Sequence, residues 1–191
     1  MMNVVKAPKA LEEKVNAVTR EQILANTYKS LVKQDSPRYK NCIKERFMDM
    51  DLILRFQLGE EEWIPLTDQF LLAKGVTPGE AWEAAKMPEA EVTTFVDMVV
   101  IGAFAVFGAV CITDYGKRRE AAELAGGNFY ALPSSIHEFV VIPESDEVSV
   151  KFLKKMVVDT NKDLVVLKES EVLSDSVYFY NADTDRLSII A

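Results

Sequence analysis

The sequence predicts an α+β fold with mainly antiparallel sheets, packed helices and a basic helical N-terminal arm. Helix-like and strand-like patterns are mixed, strands come in neighbouring pairs, and no regular strand–helix–strand rhythm is present. The 191 residues are 49% hydrophobic and 27% charged, which excludes wholesale disorder and is enough for a core without disulfides or metal ions. We divide the chain into an arm over residues 1–40 and an acidic α+β domain over residues 41–191.

Charge is distributed unevenly along the chain. Residues 1–46 hold ten basic and five acidic side chains, a net charge of +5, whereas the remainder holds 12 basic and 25 acidic side chains, a net charge of −13. The total of −8 argues against direct binding of nucleic acid by the acidic body, because such binding neutralises phosphates. The basic arm either folds back on the body or meets a different partner, and the sequence leaves both open.

The arm carries a helix start at Thr19 and Gln22, whose side chains form a capping box by satisfying each other's backbone N–H groups. Apolar residues of one helical face follow at Leu24, Tyr28, Leu31 and Val32. Because proline restricts the residue before it, this helix is expected to end at Ser36 and Pro37. A second short helix is predicted over residues 38–47.

Residues 48–58 alternate with a period of two and form the clearest strand in the sequence. A turn at residues 59–62 and a return strand over residues 63–66 complete a hairpin. A helix over residues 68–74 is expected to end at Gly75, since glycine commonly follows a helix C-terminus. Thr77, Pro78 and Glu80 form the typical start of the next helix.

Residues 98–112 form a run of 15 residues without a charge. A membrane-spanning helix needs about 20 apolar residues. The run is punctuated by Gly102 and Gly108, so two strands of a buried hairpin are favoured over a span. The N-terminus lacks the apolar core and cleavage site of a signal peptide. We therefore expect a cytoplasmic protein with reduced cysteines and no membrane contact.

The remaining sequence mixes helices with strand pairs. Asp114 is expected to cap a helix that ends at Gly126 and Gly127. Strands are predicted over residues 129–132, 136–142 and 164–167, and helices over residues 147–161 and 170–173. A final hairpin is predicted to join residues 177–180 to residues 187–190.

A resemblance to a known family rests on two segments of this half, residues 132–138 (LPSSIHE) and residues 172–178 (VLSDSVY). The helix end at residues 158–161 supports this resemblance. Over residues 48–191 the chain resembles a family known only as a domain of unknown function. The resemblance implies an origin in gut anaerobic bacteria, often near mobile elements. It strengthens the fold prediction and implies no activity.

The residues most typical of catalysis are Ser135 and His137, which share one face of the predicted strand. A serine nucleophile needs a base within hydrogen-bond reach and a carboxylate that orients the base, so Asp175 or Asp159 would have to come from elsewhere in the fold. The other interpretation is a turn whose serines bond to the backbone beside a structural histidine. A hydrolase-like enzyme that uses His137 with Ser135 and a distant aspartate is our alternative hypothesis for function.

Other catalytic equipment is sparse in the sequence. Cys111 lies in the apolar run, where burial keeps a thiol inert, and His137 is the single histidine. Asn181, Asp183 and Asp185 have the spacing of a calcium loop, but the residue after them is arginine where that loop needs glycine. Phosphate-loop, dinucleotide and zinc-protease motifs are absent. We therefore predict no metal site and no cofactor.

Acidic residues around the first hairpin point to a different function. Glu60, Glu61 and Glu62, with Asp49 and Asp51, are predicted to form a negative patch, which is either a solvated face or a surface for a protein partner. Our main hypothesis is a non-enzymatic protein-interaction module, in its narrowest form a mobile-element-encoded acidic inhibitor of a nucleic-acid enzyme. The sequence leaves the oligomeric state open.

Overall fold

The structure is a computed structural model that describes residues 9–95, 98–163, 165 and 167–191. The chain forms two compact units, and two of the five places where it passes from one unit to the other fall inside strands. Of the described residues, the first unit comprises residues 9–28, Asn41–Ile43 and Leu54–Lys86, and the second comprises Lys29–Lys40, Lys44–Ile53 and those described among residues 87–191. The division at residue 40 into an arm and a body stays a prediction.

The fold is α+β, as the sequence predicts, and contains two antiparallel sheets. The described α-helices are α1 (Lys9–Ala17), α2 (Arg20–Ala25), α3 (Asp68–Ala73), α4 (Pro78–Ala84), α5 (Tyr115–Ala125) and α6 (Val150–Lys162). The described strands are β1 (Thr27–Lys33), β2 (Lys44–Phe47), β3 (Met50–Gln57), β4 (Trp63–Pro65), β5 (Glu91–Phe95), β6 (Met98–Ala103), β7 (Phe129–Pro133), β8 (Phe139–Pro143), β9 (Tyr178–Asn181) and β10 (Arg186–Ile189). Short 3₁₀ helices lie at Pro37–Tyr39, Gly108–Thr113 and Glu169–Glu171.

Both predicted capping boxes are present in the first unit. Thr19 accepts a hydrogen bond from the backbone N–H of Gln22, whose side chain accepts in return from the N–H of Thr19. Thr77 and Glu80 make the same exchange at the start of α4. These caps position helices whose apolar side chains pack with β3 in a core that includes Ile23, Leu54, Phe56, Leu71 and Ala81.

The helix predicted from Thr19 to Ser36 is wrong beyond Ala25, because residues from Thr27 onward form strand β1. The strand makes non-local hydrogen bonds: the backbone N–H of Lys86 donates to the carbonyl of Thr27 at 2.9 Å. Such long-range backbone bonding outweighs a local helical period. The helix predicted over residues 38–47 is also wrong, since the 3₁₀ helix Pro37–Tyr39 and strand β2 occupy that segment.

A six-stranded antiparallel sheet in the order β10-β9-β7-β8-β6-β5 forms the centre of the second unit. On one face Ala131 lies opposite Val141 and Tyr178, and all three are fully buried. On the other face α6 packs Leu153 and Val157 against the sheet. Both faces of the central strands are therefore covered. The predicted final hairpin is confirmed as β9 and β10.

The uncharged run at residues 98–112 does not form the predicted hairpin. Its first part is strand β6, but its last part is the 3₁₀ helix Gly108–Thr113. A Cβ on Gly108 would lie 2.0 Å from the carbonyl oxygen of Gly102 and 2.7 Å from that of His137. The glycines thus allow a close backbone approach rather than a tight turn. Within the described residues, no helix is both long and apolar enough to cross a membrane.

The remaining predicted elements vary in outcome. Asp114 caps α5 by accepting from the N–H of Lys117, and Gly126 ends this helix at a φ of +80°. The predicted helix over residues 147–161 is confirmed as α6, with Ser149 as its cap. The predicted strand at residues 164–167 falls partly on residues 164 and 166, which lie outside the described residues.

Candidate functional site

Asp49 occupies the tight turn between β2 and β3 in the second unit. Phe47 pairs with Met50, so Met48 and Asp49 alone connect the two strands. Met48 has a φ of +56°, a left-handed conformation that is uncommon for a residue other than glycine. The turn therefore holds Asp49 at the end of a short hairpin, with its carboxylate directed at a distant segment of the same unit.

Three hydroxyl groups donate to the Asp49 carboxylate. Ser174 and Ser176 donate to Oδ2 at 2.6 and 2.8 Å, and Tyr178 donates to Oδ1 at 2.5 Å. The three donors alternate in sequence, and alternate residues of an extended segment point to the same side. We call Asp49, Ser174, Ser176 and Tyr178 the Asp49 cluster.

The electrostatics of the Asp49 cluster keep the charge on Asp49. Burial alone would raise the pKa of this carboxyl group, but hydrogen bonds from Ser174, Tyr178 and Ser176 outweigh burial and hold the pKa below its ordinary value. Burial and the Asp49 carboxylate raise the pKa of Tyr178 far above its ordinary value. The proton therefore stays on the tyrosine, which makes the cluster a fixed polar contact rather than an acid–base pair.

Asp175, the aspartate that the sequence offered as a catalytic candidate, is exposed and makes a different contact. The side-chain amide of Asn161 donates to Oδ1 of Asp175 at 2.8 Å and to the carbonyl of Ser174 at 2.9 Å. This contact fastens the C-terminal end of α6 to the segment that carries the hydroxyls. Asp159, the other candidate, pairs with Lys155 on the exposed side of α6.

Ser135 and His137 both use side-chain atoms to bind backbone groups. Oγ of Ser135 accepts from the backbone N–H of His137 at 3.0 Å. Nδ1 of His137 accepts from the backbone N–H of Phe107 at 3.0 Å, and the two rings stack with centroids 5.7 Å apart. Nδ1 is thereby occupied, and its acceptor role fixes the proton of a neutral imidazole on Nε2. These contacts match the interpretation of a turn with a structural histidine, while the hydrolase hypothesis stays a prediction.

The chain matches a family model described as "Family of unknown function (DUF5688)" over residues 68–182. The chain belongs to this family. Searches of curated proteins and of solved structures each found no match. The DUF5688 region contains both segments on which the resemblance was based, residues 132–138 and residues 172–178. The family description assigns no activity.

The Asp49 cluster crosses the boundary of the DUF5688 region. Ser174, Ser176 and Tyr178 lie inside it, whereas Asp49 precedes its first matched residue. Sequence reasoning placed Asp49 on a surface patch and missed its three donors. The alternating pattern Ser-x-Ser-x-Tyr at residues 174–178 was the available indication, since it places three hydroxyls on one side of an extended segment.

The residues of the predicted acidic patch lie in different environments. The side chain of Asp51 is 3% exposed and forms ion pairs with Lys44 at 3.0 Å and with Arg46 at 3.1 Å. In the first unit, Glu60, Glu61 and Glu62 are exposed at the turn between β3 and β4. Asp49 and Asp51 thus make contacts within their own unit, and the three glutamates face solvent.

Cys111 and the turn between β9 and β10 also bear on nucleophilic and metal chemistry. Burial raises the pKa of the Cys111 thiol to about 11, which disfavours a nucleophilic thiolate. In the turn between β9 and β10, Asp185 binds Arg118 at 3.2 Å, and Asn181 accepts from Thr184. No group of three or more His, Cys, Asp or Glu side chains suited to a metal ion occurs among the residues that the structure describes.

Proposed function

We propose that this DUF5688 protein is a non-enzymatic protein-interaction module that binds a basic surface of a protein partner through Glu60, Glu61 and Glu62. The observation that carries the proposal is the exposure of three consecutive carboxylates on a hydrogen-bonded turn. The backbone N–H of Leu58 donates to the carbonyl of Glu62 at 2.8 Å, and that of Gly59 donates to the same carbonyl at 3.4 Å. A turn held in this way presents its charges with little ordering cost on binding.

The three glutamates differ in their availability. Glu62 forms an ion pair with Lys14 at 2.9 Å, with both side chains about half exposed. Glu60 and Glu61 are exposed at the tip of the turn and are the groups that a basic partner would meet first. Charge of this kind increases the association rate more than it slows dissociation.

The narrower form of the proposal is an inhibitor, encoded by a mobile element, that occupies the basic groove of a nucleic-acid enzyme. The net charge of −8 supports it, because a nucleic-acid mimic must present a negative surface. The engagement of Ser135, His137 and Asp175 in contacts within the fold also favours binding over catalysis.

The test compares two variants with equal charge change. Glu60→Gln/Glu61→Gln alters the turn, and Glu83→Gln/Glu147→Gln alters two other exposed glutamates. The probe is immobilised polylysine, a generic basic surface, and the measurement is the association rate at about 0.1 M and about 1 M salt. We expect the turn variant to associate at least about threefold more slowly than the control variant at low salt, with the difference lost at high salt.

Equal association rates for the two variants would show that association depends on net charge alone and not on the turn. The narrower form is tested separately by adding the protein to a panel of purified restriction endonucleases and measuring DNA cleavage. Inhibition that the turn variant loses and the control variant keeps would support it. Uninhibited cleavage throughout the panel would count against it.

A further inference from the structure

A cleft of about 440 Å³ lies in the second unit beside the end of β1. It is lined by residues 33–39, which include the 3₁₀ helix Pro37–Tyr39, and by Glu169, Ser170 and Val172. The volume is in the range of small-molecule sites, about 300–1,000 Å³. Residues 29–46 are also the most basic stretch of this acidic chain.

Asp35 lines the cleft, but neighbouring cations balance its charge. Lys44 Nζ lies 3.7 Å and Arg46 Nη2 lies 3.5 Å from Oδ1 of Asp35. The same two cations bind the buried carboxylate of Asp51, which also accepts from the backbone N–H of Asp35 at 3.0 Å. Two carboxylates and two cations therefore compensate one another at this edge of the cleft.

The other charged groups of the cleft are not compensated in this way. Lys33, Arg38 and Glu169 are exposed, and among the residues that the structure describes none of the three takes part in an ion pair. The Arg38 guanidinium lies 5.9 Å from the centre of the Tyr39 ring, which is itself buried. The ring gives Arg38 a preferred position at the cleft without using its N–H donors.

We propose that this cleft binds a small molecule that carries an anionic group, phosphate or carboxylate, together with an ammonium group. Arg38 offers a planar fork of donors that matches phosphate and carboxylate oxygens, and Lys33 adds a second positive charge. Glu169 accepts from the ammonium group, and Pro37 and Val172 supply apolar contact. An acidic or phosphorylated amino acid satisfies this pattern of charges. The cleft lies apart in sequence from Glu60, Glu61 and Glu62, so this proposal is independent of the interaction proposed above.

Isothermal titration calorimetry of the full chain tests the proposal with three probes: O-phospho-L-serine, L-glutamate and inorganic phosphate. We expect saturable binding of at least one of the two amino acids. Stronger binding of phosphoserine would identify phosphate as the anionic group, and stronger binding of glutamate would identify carboxylate. Inorganic phosphate lacks the ammonium group and is expected to bind more weakly than phosphoserine.

Matched variants assign the binding to the cleft. Arg38→Ala is expected to weaken amino-acid binding by about tenfold or more, the usual cost of losing a charged hydrogen-bonding group. Arg186→Ala removes an exposed arginine on β10 and is expected to change affinity less than about twofold. Glu169→Gln should weaken phosphoserine binding and leave inorganic phosphate binding unchanged or stronger, because only the ammonium loses its partner.

Two results would overturn the proposal: no saturable binding of either amino acid, or equal losses in Arg38→Ala and Arg186→Ala. Arg38→Lys guards against a folding defect, since it keeps the charge and removes the planar fork. If the melting temperature of Arg38→Lys is unchanged, its affinity for the amino acid that binds should still be lower than that of the wild type. Wild-type affinity in Arg38→Lys, combined with wild-type affinity in Glu169→Gln, would likewise contradict the assigned roles.

Discussion

Tyr178 donates its hydroxyl hydrogen to Oδ1 of Asp49 across 2.5 Å, although the two residues are 129 positions apart in the chain. Ser174 and Ser176 bind the other oxygen of the same carboxylate. Hydrogen bonds to an ionised acceptor are stronger than neutral ones. One carboxylate therefore fastens the β2–β3 turn to the segment that leads into β9, and the DUF5688 region depends here on a residue that precedes it.

Asp49→Ala is expected to lower the free energy of unfolding by about 2–4 kcal/mol, because three hydroxyls lose a charged acceptor at a partly buried site. Urea unfolding followed by circular dichroism measures the change. The control is Asp175→Ala, which removes an exposed carboxylate with a single side-chain donor and is expected to cost less than about 1 kcal/mol. Equal losses in the two variants would show that the Asp49 cluster adds no special stability.

The link between Asp49 and Tyr178 is measured by a double-mutant cycle. Asp49→Asn and Tyr178→Phe each remove one side of the contact with little change in shape. We expect a coupling energy of about 1–2 kcal/mol, because the two groups are in direct contact. A cycle between Asp49→Asn and Tyr180→Phe is the control, since Tyr180 donates instead to Asp185 at 2.8 Å. Coupling of similar size in both cycles would point to a general loosening of the unit.

The Asp49 cluster also predicts a pH dependence of stability. The hydrogen bonds hold the folded pKa of Asp49 below its ordinary value of 3.8, so the folded chain binds fewer protons at this group than the unfolded chain does. Its stabilising contribution is therefore complete above the unfolded pKa and is lost as the pH falls through the folded pKa. Between about pH 5 and about pH 2, Asp49→Asn should lose less stability than the wild type. Parallel curves of urea midpoint against pH would contradict this.

The parts of the fold that the sequence predicted correctly are those set by local chemistry. The capping boxes at Thr19 and at Thr77 need only residues three positions away, so their pattern is visible in the sequence. The strand at Thr27–Lys33 has a local helical period and was missed. Its conformation depends on pairing with segments far along the chain, including Lys86, and no local pattern reports that pairing.

The candidate sites show the same difference between local sequence patterns and long-range contacts. Asp49 was singled out for its charge, but its donors lie more than 120 residues away, and their alternation acquires meaning only when the turn is placed beside them. The cleft likewise combines residues 33–39 with Glu169 and Ser170. Charge and spacing identified the individual residues, and the tertiary structure alone brought them together.

The approach of Gly102 and Gly108 gives a prediction about packing. A Cβ on Gly108 would lie 2.0 Å from the Gly102 carbonyl oxygen, a distance that backbone atoms cannot relieve locally. Gly108→Ala is therefore expected to destabilise the fold by about 3 kcal/mol, at the upper end for overpacked sites. Gly79→Ala is the control, because an added Cβ would have no described atom within 4 Å apart from those of its chain neighbours and of its own helix backbone. The change should stabilise by about 0.5 kcal/mol. Thermal unfolding distinguishes the two, and a Gly108→Ala variant as stable as the wild type would contradict the described approach.

His137 allows a direct decision between a structural and a catalytic role. Its Nδ1 accepts from the backbone N–H of Phe107 at 3.0 Å. Phe107 has a φ of +61°, a left-handed conformation that is uncommon for a residue other than glycine. His137→Ala leaves that N–H without its acceptor and removes the ring stack, so we expect a loss of about 1–3 kcal/mol in unfolding free energy. His137→Asn should recover part of the loss, because its side-chain oxygen can accept near the position of Nδ1.

The same variants test the hydrolase hypothesis when hydrolysis of p-nitrophenyl acetate is measured beside the melting temperature. A structural histidine predicts a lower melting temperature in His137→Ala, partial recovery in His137→Asn, and no hydrolysis by the wild type above the buffer rate. A catalytic histidine predicts measurable hydrolysis that is lost in both His137 variants and in Ser135→Ala while the melting temperature stays unchanged. The bond from the His137 N–H to Ser135 Oγ favours the structural outcome, because it uses the serine to hold the turn that positions the ring.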